Sequence, residues 1–486
     1  MMEQTWSTAP ALLENRLDVE FYLPKYLETV RRIRATGVSK VLGDVEEAGS
    51  YGVLPKSEEY GHGSTPLLRG RDLNGQAVVA IPNDAPRVPA SYLARKRARL
   101  HANEILLLIK GATIDVPQSV GIVPSGWTTP AIVNGSVYKF GVRAPHDPYY
   151  ICAFFGTHFG LDQKTRAIAN TGITYNDQDA IRAFLLALPA PAIQRAIGNK
   201  VRKAERLREL AAAAWSDAHA SLEAGLSQSL EPSAFEAPDA DRLSRPGYHC
   251  TSLRPAMAIA SVDDEIGAQY FHPRREHARQ IASRTGSWQR LDHMAGRIRK
   301  KGRGRSFLGL DRIDSNTGVV GDASNDDAAE GVLFEQNDIL FSRLRPYLNK
   351  VTISTEAHGV GSPELLVYRP SEGIDPHYLY LVLKCPLGLY QVIDVTSGST
   401  HPRVDANVVD GIRVPRVGET NEKRIGDLVR AAFGHWTNAP AFVHGARTTI
   451  ESLIDGTLDE PALLAEGEAI EQWLVDNPSP HDTEKT

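Results

Sequence analysis

The sequence predicts an α+β protein built as two copies of one domain, each followed by a long helix, the two helices pairing as an antiparallel coiled coil. Three observations carry this. Four segment pairs recur in the same order, each copy shows buried-strand and capped-helix signals, and two apolar seams of matched length close the copies.

At 486 residues the chain exceeds one ordinary core, and about 100 to 200 residues per domain implies several units. Apolar residues at 42% and charged residues at 23% match a folded soluble chain and argue against wholesale disorder. No run approaches the roughly 18 apolar residues of a membrane span, and the first residues lack a basic region followed by an apolar one, so a cytoplasmic protein is expected. Cys152, Cys250 and Cys385 are far apart and odd in number, which leaves buried thiols rather than a disulfide framework or zinc site. The net charge of −5 is unevenly spread: residues 451–486 hold ten carboxylates and one lysine, −9, so the rest carries +4. That leaves room for a DNA-binding face without demanding one.

The duplication reads in chain order. RLDVEFYLP (Arg16 to Pro24) answers EIGAQYFHP (Glu265 to Pro273), an aromatic pair ahead of a proline, at an offset of 249. Asn103-Glu104-Ile105-Leu106 answers Asn337-Asp338-Ile339-Leu340 at 234, and DPYY (Asp147 to Tyr150) answers DPHY (Asp375 to Tyr378) at 228. Gly172 and Pro189 answer Gly398 and Pro415 at 226. Falling offsets are those of a second copy with shorter loops. Ile105 to Ile109 and Ile339 to Phe341 are apolar runs of buried-strand type. Each Asp-Pro ahead of an apolar, aromatic segment predicts a helix with Asp as N-cap and Pro at its first position.

After each copy comes a long helical pattern. The first seam runs Ile193, Ile197, Val201, Ala204, Leu207, Ala211, Trp215, Ala218 and Leu222, with charged residues between. The second runs Ile425, Val429, Ala432, Trp436, Ala439, Val443, Ala446, Ile450 and Leu453, a heptad seam that Pro440 is expected to kink or break near Trp436 to Ala439. Two matched seams are best buried against each other, the alternative being that each helix covers its own domain. The expected layout is residues 1–190, first domain; 191–228, first long helix; 229–247, a Pro- and acid-rich linker; 248–416, second domain; 417–456, second long helix; and 457–486, an acidic tail.

NDILFSRLRPYLNKV (Asn337 to Val351), then GSPELLVYRP (Gly361 to Pro370), DPHYLYLVLK and the Ser397-Gly398-Ser399-Thr400 turn leading to IRVP resemble the specificity (S, HsdS-like) subunits of Type I restriction-modification systems. In the first copy the turn is KGATIDVP (Lys110 to Pro117), without Arg-Pro-Tyr. The likeness spans about residues 10 to 455 and excludes the acidic tail. It implies two target-recognition domains that grip double-stranded DNA, each reading half of a bipartite site, with the helices setting the spacing and docking two methyltransferase subunits. It also implies S-adenosylmethionine in the partner methyltransferase rather than in this chain, and a translocase/nuclease subunit as a further partner. A helix of about 36 residues is about 54 Å long, enough to hold two readers a DNA turn of about 34 Å apart.

Candidate DNA-reading residues are basic or hydroxylic. The densest run is Arg297, Arg299, Lys300, Lys301, Arg303 and Arg305, interleaved with Gly302 and Gly304, where glycines would let a loop follow the DNA backbone and arginines pair with phosphates or guanine edges. A solvated loop is the alternative. Arg343 and Arg345 follow a strand at the Pro346 turn, facing either phosphate or a structural pairing with Glu364. In the first copy Arg95, Lys96, Arg97 and Arg99 form the corresponding cluster, equally readable as a solvated helix face, with Lys110, Lys164 and Arg166 as lesser candidates. Thr174 and Ser399, Thr400 and Arg403 belong to two turns whose hydroxyls and N–H groups suit phosphate or ordinary turn chemistry.

Enzyme readings are weak. DPYY lacks the second proline of the Asp-Pro-Pro-Tyr motif of adenine methyltransferases, and no Gly-x-Gly loop follows a strand. Glu104 with Lys110 suggests a nuclease pair, but the second copy has Asp338 and Leu344 there. No metal set is apparent. The remaining classes are a non-catalytic specificity subunit, a DNA-binding specificity factor of another genome-defence system, and a protein-binding scaffold without DNA contact.

Overall fold

The computed structural model describes residues 19–73, 75, 77–82, 84–95, 97–111, 113–168, 175–235, 272–304, 306–321 and 329–479. Expectations for Lys96, Thr174, Arg305, Cys250, the Tyr270-Phe271 pair and most of the linker fall outside these residues. The chain divides into two compact units, Met1–Glu209 with Asn438–Thr486, and Leu210–Thr437. Among the described residues no helix is long and apolar enough to cross a membrane.

In the first unit the helix Pro24–Ala35 starts on its proline and buries Tyr26, Val30 and Ile33, spaced four and three apart as one helical face requires. An antiparallel sheet follows in the order Glu46–Tyr51, Val137–Val142, Ile105–Leu108, Val120–Ile122. Its strand Ile105–Leu108 is apolar throughout because both faces are covered. Ile105 and Leu107 join the core beneath the helices, while Leu106 and Leu108 join a second cluster on the other face. Asp147 caps the helix Pro148–Phe155, its carboxylate accepting from the N–H groups of Tyr149 (2.8 Å) and Tyr150 (3.2 Å). Such a cap is worth about 1 kcal/mol.

The second unit repeats this in order. Its helix Pro273–Ala282 again starts on proline. The sheet order Ala295–Ile298, Leu365–Pro370, Ile339–Ser342, Val351–Ile353 is the first unit's order under duplication, and Asp375 caps Pro376–Lys384 through the N–H groups of His377 and Tyr378. Small strand pairs also correspond, Ser39–Val41 with Leu185–Ala187 and Trp288–Arg290 with Arg413–Pro415. Tyr150 donates from Oη to the Ala187 carbonyl and Tyr378 to the Pro415 carbonyl, each at 2.6 Å. This corrects the expected match of Pro189 with Pro415: from the Asp caps onward the offset stays at 228, and Pro415 answers Ala187. A terminal proline was a weaker register mark than the hydrogen-bonded strand beside it.

The long helices are Pro191–Leu226 and Glu419–Ile454. In the first unit Ile193, Ile197, Val201 and Ala204 are buried with Ala439, Val443, Ala446 and Ile450. In the second, Ala218 and Leu222 are buried with Ile425 and Val429. Trp215 is half-buried and packs on Trp436, ring centroids 5.4 Å apart. Lys200 reaches Thr449 (3.1 Å) and Lys203 lies over Phe442, so within the first unit numbers rise on one helix as they fall on the other: the pair is antiparallel. Pro440 does not break its helix. A proline inside a helix costs about 3 kcal/mol, and Pro440 is exposed while its neighbours Ala439 and Val443 are buried in the seam. Burying a Val or Ile is worth about 1.5 to 3 kcal/mol, which offsets that cost.

The acidic tail holds a further helix, Glu460–Asp476, capped by Asp459 and burying Leu463, Gly467 and Ile470. It packs on the first long helix: Gly467 lies against Ala196, Glu466 pairs with Lys200 at 2.8 Å, and Lys203 sits 4.7 Å above the Trp473 ring. Its apolar residues, three or four apart, were obscured by the surrounding carboxylates.

Candidate nucleic-acid interface

In the second unit the basic run is not one loop: Arg297 lies in the strand Ala295–Ile298, Arg299 and Lys300 form the connection that follows, and Lys301 and Arg303 lie in a second strand. Lys301–Gly304 is an edge strand paired antiparallel with Ala329–Glu335, Arg303 opposite Glu330. Period-two alternation places Lys301 and Arg303 on one face and the glycines on the other. A Cβ on Gly302 would come within 2.6 Å of the Leu333 side chain, so that glycine admits a close-packed neighbour instead of a DNA backbone. Arg299, Lys300, Lys301 and Arg303 are exposed, and among the described residues none has an ion-pair partner. Arg297 differs: its side chain is 13% exposed and pairs at 3.3 Å with Asp410, which also accepts from Tyr368 Oη (2.7 Å).

Past the central strand the Arg-Pro-Tyr-Leu turn is held in an unusual backbone. Arg345 (φ 47°) and Asn349 (φ 50°) bracket the short helix Pro346–Leu348 in the left-handed region. Non-glycine residues there cost about 1 to 3 kcal/mol each. The turn is held from several sides. Arg345 N–H donates to the Pro402 carbonyl (2.7 Å), Val404 N–H to Arg343 (3.0 Å), and Asn349 Nδ2 to Lys384 (2.8 Å). Lys384 Nζ returns a bond to the Asn349 carbonyl (2.7 Å), and burial lowers its pKa to about 7.

These contacts bring the turn beside the hairpin of Thr396–Ser397 and Arg403–Val404, whose tip exposes Ser399 and Thr400. Tyr347 is 54% exposed and Leu348 37%. Glu364 takes Arg403, not Arg343 or Arg345: the Arg403 fork donates to it at 2.7 and 3.0 Å. Backbone pairing of Leu344 with Arg403 places that guanidinium over Glu364. Among the described residues, Arg343 and Arg345 each keep a buried Nε without a hydrogen-bond partner.

In the first unit the cluster follows a short 3-10 helix, Ala90–Ala94, and is loop rather than helix face. Arg97, Arg99 and Lys110 are exposed, as is Arg95, which stacks on Tyr92 at 4.5 Å. Lys164 is a core residue, bonded to the Ser119 hydroxyl and carbonyl, and desolvation lowers its pKa to about 7. Arg166 covers the Phe21 ring at 3.7 Å and donates to the Phe21 carbonyl. The sequence reading passed over exposed Tyr347 and Leu348, although Arg-Pro-Tyr-Leu was on view, because it weighed charge alone. It also passed over a second shared feature, the parallel pairs Leu67–Ile132 and Phe307–Val360.

Cys152 and Cys385 are free and buried. Among the described residues no group of three or more His, Cys, Asp or Glu side chains could hold a metal.

No family model matches the chain, and no curated protein matches it. Among solved structures it is similar to the Type I restriction-modification system S subunit from M. genitalium, at 12% identity over 86% of this chain and 95% of that one, with a TM-score of 0.40. It is also similar to the HsdS subunit from Thermoanaerobacter tengcongensis, at 15% identity over 86% and 97%, TM-score 0.28. A third structure, described as underlying complex assembly and conformational transition of the type I R-M system, stands at 13% identity over 86% and 98%, TM-score 0.27. Likeness at this depth carries no inference about activity or partners.

Proposed function

We propose that this chain is the DNA-specificity subunit of a cytoplasmic, Type I-like restriction-modification complex, each domain copy reading one half of a bipartite site in double-stranded DNA. The observation that carries the reading is the duplication. Both copies share one sheet order, one Asp cap and one Tyr anchor, and both present arginines and lysines free of acidic partners among the described residues. Two similar readers on one chain suit a site of two separated halves, and unpaired cations suit phosphates and guanine edges. Catalysis and S-adenosylmethionine belong to the partner methyltransferase in this reading.

Co-purification with an adenine methyltransferase, followed by mapping of methylated adenines, tests it. The complex should methylate a bipartite site, and the rigorously purified chain should neither methylate nor cut DNA. Methyl transfer by the chain alone, or a complex whose methylation ignores this chain, would overturn the proposal.

A further inference from the structure

Among the described residues Tyr347 and Leu348 are the one consecutive pair of large apolar side chains left exposed. Their backbone is not a slack loop. Leu348 N–H donates to the Arg345 carbonyl and Asn349 N–H to that of Pro346, each at 2.9 Å, so the tip is closed on itself as well as tied to the neighbouring hairpin and to Lys384. Pro346 is buried, and its ring fixes φ at the start of the tip. A turn needed only to join two strands would be more stable with its aromatic ring covered, or with polar residues in its place. This one accepts left-handed backbone at Arg345 and Asn349 and holds two apolar side chains outward in one pose.

The first unit is built differently at the corresponding place. Between its strands Ile105–Leu108 and Val120–Ile122 the connection buries Ile114 and half-buries Val116, and no large apolar side chain described there is exposed. The outward tip belongs to the second unit alone. Its surroundings are polar and cationic. Arg343 and Arg345 have no acidic partner among the described residues, and Arg345 Nη2 reaches the Thr400 carbonyl at 3.4 Å, beside the exposed Ser399 and Thr400. A ring and a branched apolar side chain rimmed by guanidinium and hydroxyl groups match a base step with a phosphate on either side. Scale argues against a protein partner. A stable protein interface buries about 800 Å² on each side, far more than two side chains supply, whereas one or two apolar side chains suffice to open a base step.

We propose that Tyr347 and Leu348 form a wedge that enters the base stack of the half-site read by the second unit, the Tyr347 ring stacking on a base and Leu348 filling the opened step. The proposal rests on the DNA-reading function above. Pyrimidine–purine steps unstack most easily, so this half-site is selected in part by how readily it deforms, and the half-site read by the first unit is not.

The test uses the full chain in complex with the adenine methyltransferase of the same genome, on duplexes of the mapped site that carry 2-aminopurine at successive positions, a base whose fluorescence reports loss of stacking. The parent complex should unstack one step in one half-site, and Tyr347→Ser with Leu348→Ser, both exposed and away from the core, should abolish that signal while signals at other bases persist. The double variant should bind about tenfold or more weakly with an unchanged salt slope, because a stacking contact is lost and no charge is removed. Tyr347→Phe should retain both the signal and the affinity. The same fluorescence at every position in parent and double variant would overturn the wedge and leave the proposed function standing. Loss of the methyltransferase from the double variant, with base stacking unchanged, would make a protein the occupant and overturn the wedge as well. A complex whose methylation ignores this chain would overturn the proposed function itself.

Discussion

Residues of one chemical type divide here by what lies opposite them. Arg297 and Arg403 are matched by Asp410 and Glu364, while Arg299, Lys300, Lys301 and Arg303 are exposed with no acidic partner among the described residues. A pairing guanidinium that left its carboxylate for DNA would strand that acid, so the exposed four are the better phosphate ligands. Replacing Arg299, Lys300, Lys301 and Arg303 with Ala should weaken DNA binding and flatten its salt dependence, each lost phosphate contact lowering the log-log slope by about 0.9. Lys164→Met is the control, since Lys164 is wholly buried on Ser119 and should leave the slope unchanged. Titrations of the complex from low to moderate salt decide it; an unchanged slope in the fourfold variant would return these four cations to solvent.

Elements are held by local rules and by a few buried polar groups that those rules do not cover. Glu205 lies inside the first long helix, buried, accepting from Tyr149 Oη at 2.7 Å, and desolvation raises its pKa from 4.5 to about 7. The folded chain thus keeps a proton that the unfolded chain releases between those values. Stability from this group is complete below about pH 4.5 and is lost as pH rises through about 7. Glu205→Gln keeps an acceptor for Tyr149 without the charge. It should match the parent near pH 4 and exceed it at pH 8, by on the order of 1 to 3 kcal/mol. Calorimetric melts at the two pH values measure this, and an equal gap at both would mean that the carboxyl is not the titrating group.

At the scale of the whole molecule, each long helix contributes one part to each compact unit, the division falling at Glu209 and Leu210 on the first and at Thr437 and Asn438 on the second. Under the proposed function these helices set the gap between the two half-sites. Inserting seven residues at both points adds about 10.5 Å, roughly three base pairs, while nearly restoring helical phase. Methylation mapping should then recover the same half-sites with a longer spacer. An unchanged spacer, or altered half-sites, would remove the helices from that role.

The sequence by itself determined what depends on neighbours three or four residues away. The Asp-Pro caps, the seams at Ile197 to Leu222 and Ile425 to Ile450, the buried central strands and the duplication were all legible, because caps and side-chain periodicity are short-range properties. The acidic helix was obscured by its composition, and Gly302 of the basic run took its meaning from Leu333 on a neighbouring strand. Which cations stay free was decided by tertiary structure alone. The carboxylate opposite Arg403 comes from Glu364, 39 residues away, brought there by a strand pairing that no local pattern encodes. An ion pair depends on distance in space, and only the folded chain specifies which distant acid arrives within reach.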